Sequence, residues 1–105
     1  MGDELGNWLG EYPVSLTFKP QRAVYDRNKG VVRFFAQDGP VLVRCAVSKN
    51  ALASLADTAA SGENLLERVF RRHRERIQEI ASRKHQAQKR EADGSILVRR
   101  RDLAS

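Results

Sequence analysis

The chain has 105 residues, a net charge of +6 and a hydrophobic content of 41%, values typical of one folded domain and not of a disordered chain. No apolar run approaches the ~20 residues that a membrane-spanning helix needs, and the N-terminus lacks the basic leader and apolar block of a signal peptide. The single cysteine, Cys45, cannot form an internal disulfide, so we expect a reducing, cytoplasmic setting.

The N-terminal segment, residues 1–12, differs from the rest of the chain. Apolar and aromatic residues recur there at helical spacing, but three glycines interrupt them, and each costs about 1 kcal/mol in a helix relative to alanine. We therefore predict a flexible arm over 1–12, followed by a single α+β domain over 13–105. Trp8 and Leu9 could cover an edge of the core, or they could anchor a protein partner.

Alternating apolar residues predict strands in the first half of the domain. The candidate strands are VSLTF (14–18), AVYD (23–26), VVRFFAQ (31–37) and VLVRCAV (41–47). RNKG (27–30) and DGP (38–40), which separate the last three, are typical of tight turns. The third strand is expected to have Val32, Phe34 and Ala36 on one side and Val31, Arg33 and Phe35 on the other. The fourth is expected to have an apolar face that contains Val41, Val43, Cys45 and Val47. The pattern predicts an antiparallel meander of three or four strands.

Helical periodicity begins after Val47. Ser48 is a good N-cap, and ALASLADTAA predicts a short helix that ends near residues 61–62. A long amphipathic helix is predicted from about Glu63 to about Lys89, and Ile96–Val98 predicts a last strand. The expected fold is therefore α+β: a three- to four-stranded antiparallel meander packed against a short helix and one long amphipathic helix, with a C-terminal strand.

The long helix has one apolar stripe and one basic arc. At 100° per residue the stripe contains Leu66, Val69, Phe70, His73, Ile77, Ile80, Ala81 and Lys84. On the other arc, Glu67–Arg71, Arg71–Glu75 and Glu79–Arg83 have the i,i+4 spacing of ion pairs, which would partly neutralise the arginines. The arc is either an ordinary solvated surface or, together with the C-terminal arginines, the binding site of an anionic partner. The candidate residues are Arg68, Arg71, Arg72, Arg74, Arg76, Arg83, Arg99, Arg100 and Arg101.

No pattern in the sequence indicates catalysis or a cofactor. His73, His85 and Cys45 do not have the spacing of metal ligands, and a cysteine on the apolar side of a strand behaves as a small hydrophobic residue. The glycine-rich phosphate loop and the GxSxG elbow are both missing. Asp26 and Asp38 lie at turns, where carboxylates usually bind backbone amides. We therefore expect no catalytic, cofactor-binding or metal-binding residue.

The order of several short motifs resembles a known bacterial family, the domain of unknown function 1488. The matching residues are Phe18, Tyr25-Asp26, VRF (32–34), VS (47–48), AL (51–52), Arg74, Arg76, Ile77, Ala81, Ile96–Val98 and Asp102-Leu103. The resemblance extends over about residues 14–103. It implies a small α+β fold and a bacterial cytosolic setting, and it implies no activity, cofactor or catalytic residue.

Two functions are compatible with these features. The first is a non-catalytic protein-interaction domain that could associate with itself, because the apolar stripe of the long helix continues to Ile80 and Ala81 and because the arm contains Trp8. The alternative is a nucleic-acid-binding accessory protein that uses the basic arc and the C-terminal arginines. We expect no membrane partner.

Overall fold

A four-stranded sheet with helices on one face forms the framework of the protein. The structure is a computed structural model, and it describes residues 16–19, 21–56 and 63–103. In chain order the elements are β1 (Val24–Asp26), β2 (Val31–Asp38), β3 (Val41–Ser48), α1 (Lys49–Ala56), α2 (Glu63–Arg72), α3 (Arg74–Gln86), β4 (Ile96–Val98) and α4 (Arg100–Leu103). The predicted flexible arm over 1–12, with Trp8 and Leu9, lies outside the described residues.

The strand order is β1-β2-β3-β4. The first three strands are antiparallel neighbours, and β4 pairs with β3 in parallel. The parallel pairing follows from the connection, because three helices between β3 and β4 return the chain to the end of the sheet where β3 begins. The expected α+β fold is therefore confirmed, with a mixed sheet.

A two-residue turn joins β2 to β3. Asp38 pairs with Val41, so Gly39 and Pro40 alone form the loop. Gly39 has a φ of +60°, and the proline ring restricts the next φ to negative values. Glycine with positive φ at the first central position is typical of a type II′ hairpin turn, whose twist matches that of the flanking strands.

The predicted strand over 14–18 is much reduced among its described residues. Thr17 forms an isolated antiparallel bridge with Gln37, whereas Val14 and Ser15 lie outside the described part of the chain. Between this bridge and β1, the side chain of Gln21 takes the place of a paired strand: its Oε1 accepts from the Phe35 amide at 2.7 Å and its Nε2 donates to the Phe35 carbonyl at 2.6 Å. The edge of β2 is thus covered in three separate pieces.

The core lies between the sheet and the helices. Its largest fully buried side chains are Phe34, Phe70, Leu52, Leu66, Ile77, Ile96, Val32, Val47 and Val98. The rings of Phe34 and Phe70 lie 5.1 Å apart and tilted, an arrangement that contributes ~0.5–1.5 kcal/mol beyond burial. Ser48 caps α1 as predicted, since its hydroxyl accepts from the Ala51 amide. Val41, expected on the same apolar face as Cys45, is 59% exposed because it lies beside the turn at the end of the sheet.

The predicted long helix is two helices that meet at His73, so the prediction of one continuous helix is wrong. His73 has a ψ of 22°, far from the helical value near −42°, and its amide is shared between the carbonyls of Val69 and Phe70 at 3.1 and 3.2 Å. The break lets α2 pack against β1 and β2 while α3 packs against β4. The two helices therefore pack near opposite edges of the sheet, and they do not cross it as one straight helix.

The second helix also ends earlier than predicted, at Gln86 instead of about Lys89. The amide of Gln88 donates to the His85 carbonyl, and the amide of Lys89 donates to the Lys84 carbonyl at 2.8 Å. Gln88 has a positive φ of 59°. These are the bonds of a Schellman motif, which closes a helix at a residue in the left-handed conformation.

The apolar stripe was predicted correctly despite the break. Leu66, Val69, Phe70, Ile77, Ile80 and Ala81 are buried, and His73 and Lys84 are half-buried. Since Ile80 and Ala81 pack into the core of their own chain, they do not form a surface for another molecule. Ile80 and Ala81 therefore do not support self-association through these helices.

Candidate functional site

Arginines of α2, α3 and α4 line three adjoining hollows on the protein surface. The first hollow includes Arg22, Arg68 and Arg71. The second follows the run from Arg71 to Arg76. The third, which we call the C-terminal hollow, is lined by Ser54, Leu55, Arg76, Arg100, Arg101 and Leu103.

Two arginines connect these hollows into one surface. Arg71 lines the first and second hollows, and Arg76 lines the second hollow and the C-terminal hollow. The basic arc of the helices and the C-terminal arginines are therefore neighbours. We call the eight residues the arginine band: Arg22, Arg68, Arg71, Arg72, Arg74, Arg76, Arg100 and Arg101.

The structure brings seven of the nine predicted arginines into this band and leaves two outside. Arg99 donates to Glu91 Oε1 at 2.8 Å instead, and the exposed Arg83 lines none of the three hollows. Arg22 belongs to the band but was missed by sequence reasoning. It precedes β1 and lies more than forty residues from the helix arginines, so only the packing of α2 beside β1 reveals its position.

The predicted neutralisation of the helix arginines is not observed. Within the described part of the chain, the ion pairs shorter than 4.0 Å are Arg33–Asp26, Lys84–Asp102, His85–Asp38 and Arg99–Glu91. None of them includes an arginine of the band. Glu67, expected to pair with Arg71, accepts a hydrogen bond from the Tyr25 amide at 3.2 Å, because α2 packs beside β1.

Arg74 differs from the other helix arginines because it is half-buried. Its guanidinium carbon lies 5.7 Å from the centroid of the Phe70 ring, within the range of a cation–π contact. Arg74 directly follows the break at His73, which changes the register between the two helices. The helical wheel assumed a continuous helix and therefore placed Arg74 fully in solvent.

The second candidate surface is the face of the sheet that the helices leave uncovered. We call it the open sheet face, and its outward residues include Val24, Arg33, Phe35, Leu42, Arg44 and Leu97. Phe35 is 42% exposed and Leu42 is 59% exposed. Antiparallel sheets often have one solvated face, but large apolar residues on that face are typical of an interaction surface.

Two concavities meet at Phe35 on the open sheet face. One is a groove of about 490 Å³ and the other is a smaller hollow of about 270 Å³. The described charged residues that line the groove are Asp26, Lys29, Arg33, Arg44, Glu91 and Asp93. Three are basic and three are acidic, so the groove is balanced in charge, unlike the arginine band.

A buried histidine joins the end of α3 to the hairpin, and sequence reasoning missed it. His85 is buried, its Nε2 lies 3.0 Å from Asp38 Oδ2, and its Nδ1 lies 3.0 Å from a guanidinium nitrogen of Arg90. Arginine can only donate, so Nδ1 accepts and the ring proton is on Nε2, which donates to Asp38. The predicted role of Asp26 is confirmed, since its carboxylate accepts from backbone amides of the turn, whereas Asp38 binds His85.

The family model described as "Protein of unknown function (DUF1488)" matches residues 16–98. The chain belongs to this family. It is also similar to the crystal structure of a DUF1488-family protein of unknown function from Shewanella loihica, with a TM-score of 0.77 and 22% identity over 85% of this chain and 96% of that one. No curated protein matches the chain.

Two side chains of this DUF1488 protein that could perform chemistry, Cys45 and His85, are buried. Cys45 is buried as predicted, and burial raises the pKa of its thiol to about 12. The thiolate, which is the nucleophile, is therefore scarce at neutral pH. Among the described residues, no three His, Cys, Asp or Glu side chains are grouped closely enough to hold a metal ion. No helix in the same part of the chain is long and apolar enough to cross a membrane.

Proposed function

We propose that the protein is a non-catalytic interaction domain and that its open sheet face binds a second copy of the same chain. One observation supports this most strongly. Of the large apolar side chains that are exposed among the described residues, Val24, Phe35 and Leu42 lie on the open sheet face, and Val41 lies beside the hairpin turn. The helices, by contrast, use their apolar stripes within the core.

The charges of the groove favour a second copy over an unrelated partner. In a twofold symmetric dimer the same patch meets itself, so each charge needs a counterpart on that patch. The groove beside Phe35 has three basic and three acidic side chains, and a balanced patch of this kind can pair with itself. A partner with charges of one sign would be attracted by only three of these side chains and repelled by the other three.

Light scattering coupled to size exclusion tests the dimer over a series of protein concentrations. We expect the dimer fraction to rise with concentration, and we expect Phe35→Asp to weaken association by roughly tenfold or more, because it places a charge at the centre of the interface. Val41→Asp is the matched control, since Val41 is similarly apolar and exposed but lines neither concavity. A wild-type protein that stays monomeric at its highest soluble concentration would refute the dimer.

The proposal extends to the absence of catalysis and to a bacterial cytoplasmic setting. The burial and raised pKa of Cys45 support the first part, and a single unpaired cysteine supports the second. Fractionation of the producing cells would check the location. Turnover of a substrate by the purified protein would contradict the non-catalytic role.

A second candidate function, binding of a nucleic acid backbone, is favoured by the continuity of the arginine band. Eight arginines in adjoining hollows, without an ion pair among the described residues, match the electrostatic footprint of a phosphate-binding surface. Binding of this kind must weaken steeply with salt, because each neutralised phosphate releases condensed counterions.

Titration of labelled DNA and RNA at low and moderate salt tests this candidate. We expect the Arg71, Arg72 and Arg74 triple change to alanine to lower the affinity and to reduce the slope of log K against log salt by about 2 to 3. The matched control changes Lys29, Arg33 and Arg44 to alanine, which removes the same charge from the open sheet face. No binding at low salt, or equal losses in both triple variants, would rule out the band as the site.

A further inference from the structure

The C-terminal hollow differs from the other two hollows of the arginine band in its balance of charges. It has a volume of about 620 Å³, and three guanidinium groups line it, from Arg76, Arg100 and Arg101. Glu67 and Glu75 line the other hollows, whereas no carboxylate of a described residue lines this one. An anion in the hollow would therefore meet three positive charges, of which Arg101 also interacts with the Asp102 carboxylate outside the lining.

Contacts within the fold set the positions of these groups. A guanidinium nitrogen of Arg76 donates to the Leu103 carbonyl at 2.6 Å, which fixes this side chain beside α4 and leaves its other nitrogens for a ligand. The acidic residue of α4, Asp102, accepts from Lys84 Nζ at 2.8 Å and from the Arg99 amide at 2.7 Å. Its carboxylate is thus held by Lys84 and by the Arg99 amide, and the charge of Arg101 also acts on it.

The remaining described lining is a hydroxyl group and two apolar side chains. Ser54 can donate to or accept from a ligand, and Leu55 and Leu103 give part of the hollow an apolar surface. The hollow can therefore accommodate a ligand that has both an anionic group and a less polar body. Its volume lies within the ~300–1,000 Å³ of small-molecule sites.

We propose that the C-terminal hollow is a binding site for a phosphomonoester group. Guanidinium groups bind phosphate oxygens in a planar, two-donor geometry, and three of them suit a group with two negative charges. A phosphomonoester has a charge of about −1.5 to −2 at pH 7, whereas a backbone phosphodiester has only one. The group could belong to a free mononucleotide or to the 5′-phosphorylated end of a nucleic acid, and the second source rests on the nucleic-acid candidate above.

Paired oligonucleotides test the site. The two probes have the same sequence and a 3′ fluorescent label, and they differ only in a 5′-phosphate or a 5′-hydroxyl. We expect wild-type protein to bind the phosphorylated probe roughly tenfold more tightly, which corresponds to about 1.4 kcal/mol. We also expect adenosine monophosphate, but not adenosine, to compete for binding and to shift the amide NMR signals of α4.

Two double variants separate the hollow from the rest of the band. Arg100→Ala with Arg101→Ala should abolish the preference for the 5′-phosphate, while Arg71→Ala with Arg72→Ala should lower the affinity for both probes and retain the preference. Both remove two exposed charges, and circular dichroism would check that each variant folds. Arg76→Lys, which keeps the charge but loses the planar donors, should reduce the preference in part.

The outcomes also distinguish the phosphomonoester site from nucleic-acid binding by the arginine band, on which one of its two ligand sources rests. Equal affinity of wild-type protein for the two probes, with no effect of adenosine monophosphate, would overturn the phosphomonoester site even if the band binds nucleic acid. If neither probe binds but adenosine monophosphate shifts the signals of α4 in wild type and not in the Arg100/Arg101 variant, the site stands and only the nucleic-acid candidate fails.

Discussion

The side-chain amide of Gln21 forms two hydrogen bonds with the backbone of Phe35, one to its N–H at 2.7 Å and one to its carbonyl at 2.6 Å. A side chain thus supplies the pair of bonds that a neighbouring strand would form. Phe35 is the apolar centre of the open sheet face, so Gln21 stabilises the strand segment that presents it. A free strand edge at this point would also be available for pairing with other chains.

We expect Gln21→Ala to increase hydrogen exchange at the Phe35 amide and to lower the free energy of unfolding by about 1 kcal/mol, because one donor and one acceptor lose their protein partner. NMR would measure hydrogen exchange at the Phe35 amide, and urea denaturation would measure the free energy of unfolding. The Gln37 amide, bonded to the Thr17 carbonyl, is the internal control. Unchanged exchange at Phe35 would mean that the Gln21 bonds do not protect the edge.

The hydrogen bonds of His85 predict its tautomer. Since Arg90 donates to Nδ1 and Nε2 donates to Asp38, long-range ¹H–¹⁵N correlation should detect the proton on Nε2. His85→Ala should lower the free energy of unfolding by ~1.5–3 kcal/mol, because it removes hydrogen bonds to two charged groups. His73→Ala is the comparison variant. It should lower the free energy of unfolding by less, since His73 is only half-buried. Detection of the proton on Nδ1 would contradict the assignment.

Asp102 should make stability depend on pH at the acidic end. Burial alone would raise the pKa of Asp102, but the hydrogen bonds from Lys84 and from the Arg99 amide, together with the charges of Lys84 and Arg101, outweigh it and lower the pKa below its usual 3.8. A lowered pKa in the folded state means that the ionised carboxylate stabilises the fold at pH above 3.8. This stabilisation is lost as the pH falls through the folded-state pKa.

Urea denaturation of wild type and Asp102→Asn between neutral pH and pH 2.5 checks this sign. The variant should be less stable at neutral pH, and the difference should shrink as the pH falls below 3.8 and the wild-type carboxyl becomes protonated. Glu79→Gln, a change at an exposed position of α3, is the control and should show a small difference at every pH. If the difference in the free energy of unfolding between wild type and Asp102→Asn stays constant with pH, ionisation of Asp102 does not stabilise the fold.

Cys45 should resist alkylation in the folded protein. Its thiol is buried and has a pKa of about 12, so both access and the thiolate fraction are low at pH 8. Mass spectrometry after iodoacetamide treatment should detect slow labelling in buffer and rapid labelling in urea above the unfolding midpoint. Rapid labelling of the native protein would mean that the strand opens locally.

Much of the helix packing was predictable because periodicity follows directly from backbone geometry. Leu66, Phe70 and Ile77 fall on one side of a 3.6-residue repeat, and all three are buried. The break at His73 was not predictable in the same way. It arises because α2 and α3 pack against different strands, and no glycine or proline marks that point in the chain.

The candidate surfaces depended on contacts between distant segments. The sequence showed that Arg71 and Arg101 belong to basic clusters, but only the docking of α4 beside α1 and α3 makes Arg76 a member of both. Glu67 has the spacing of a partner for Arg71, yet it binds the backbone of β1. Local spacing describes which contacts are geometrically available within a helix, and tertiary packing selects among them.

By itself the sequence determined the α+β class, the buried stripe of α2 and α3, the cap at Ser48 and the buried character of Cys45, since periodicity and capping depend on residues close together in the chain. Only the tertiary structure decided that the sheet is mixed, that its open face presents Phe35, that His85 binds Asp38, and that the arginines form one band. These features join residues far apart in sequence, and their positions follow from how the helices and the sheet share one core.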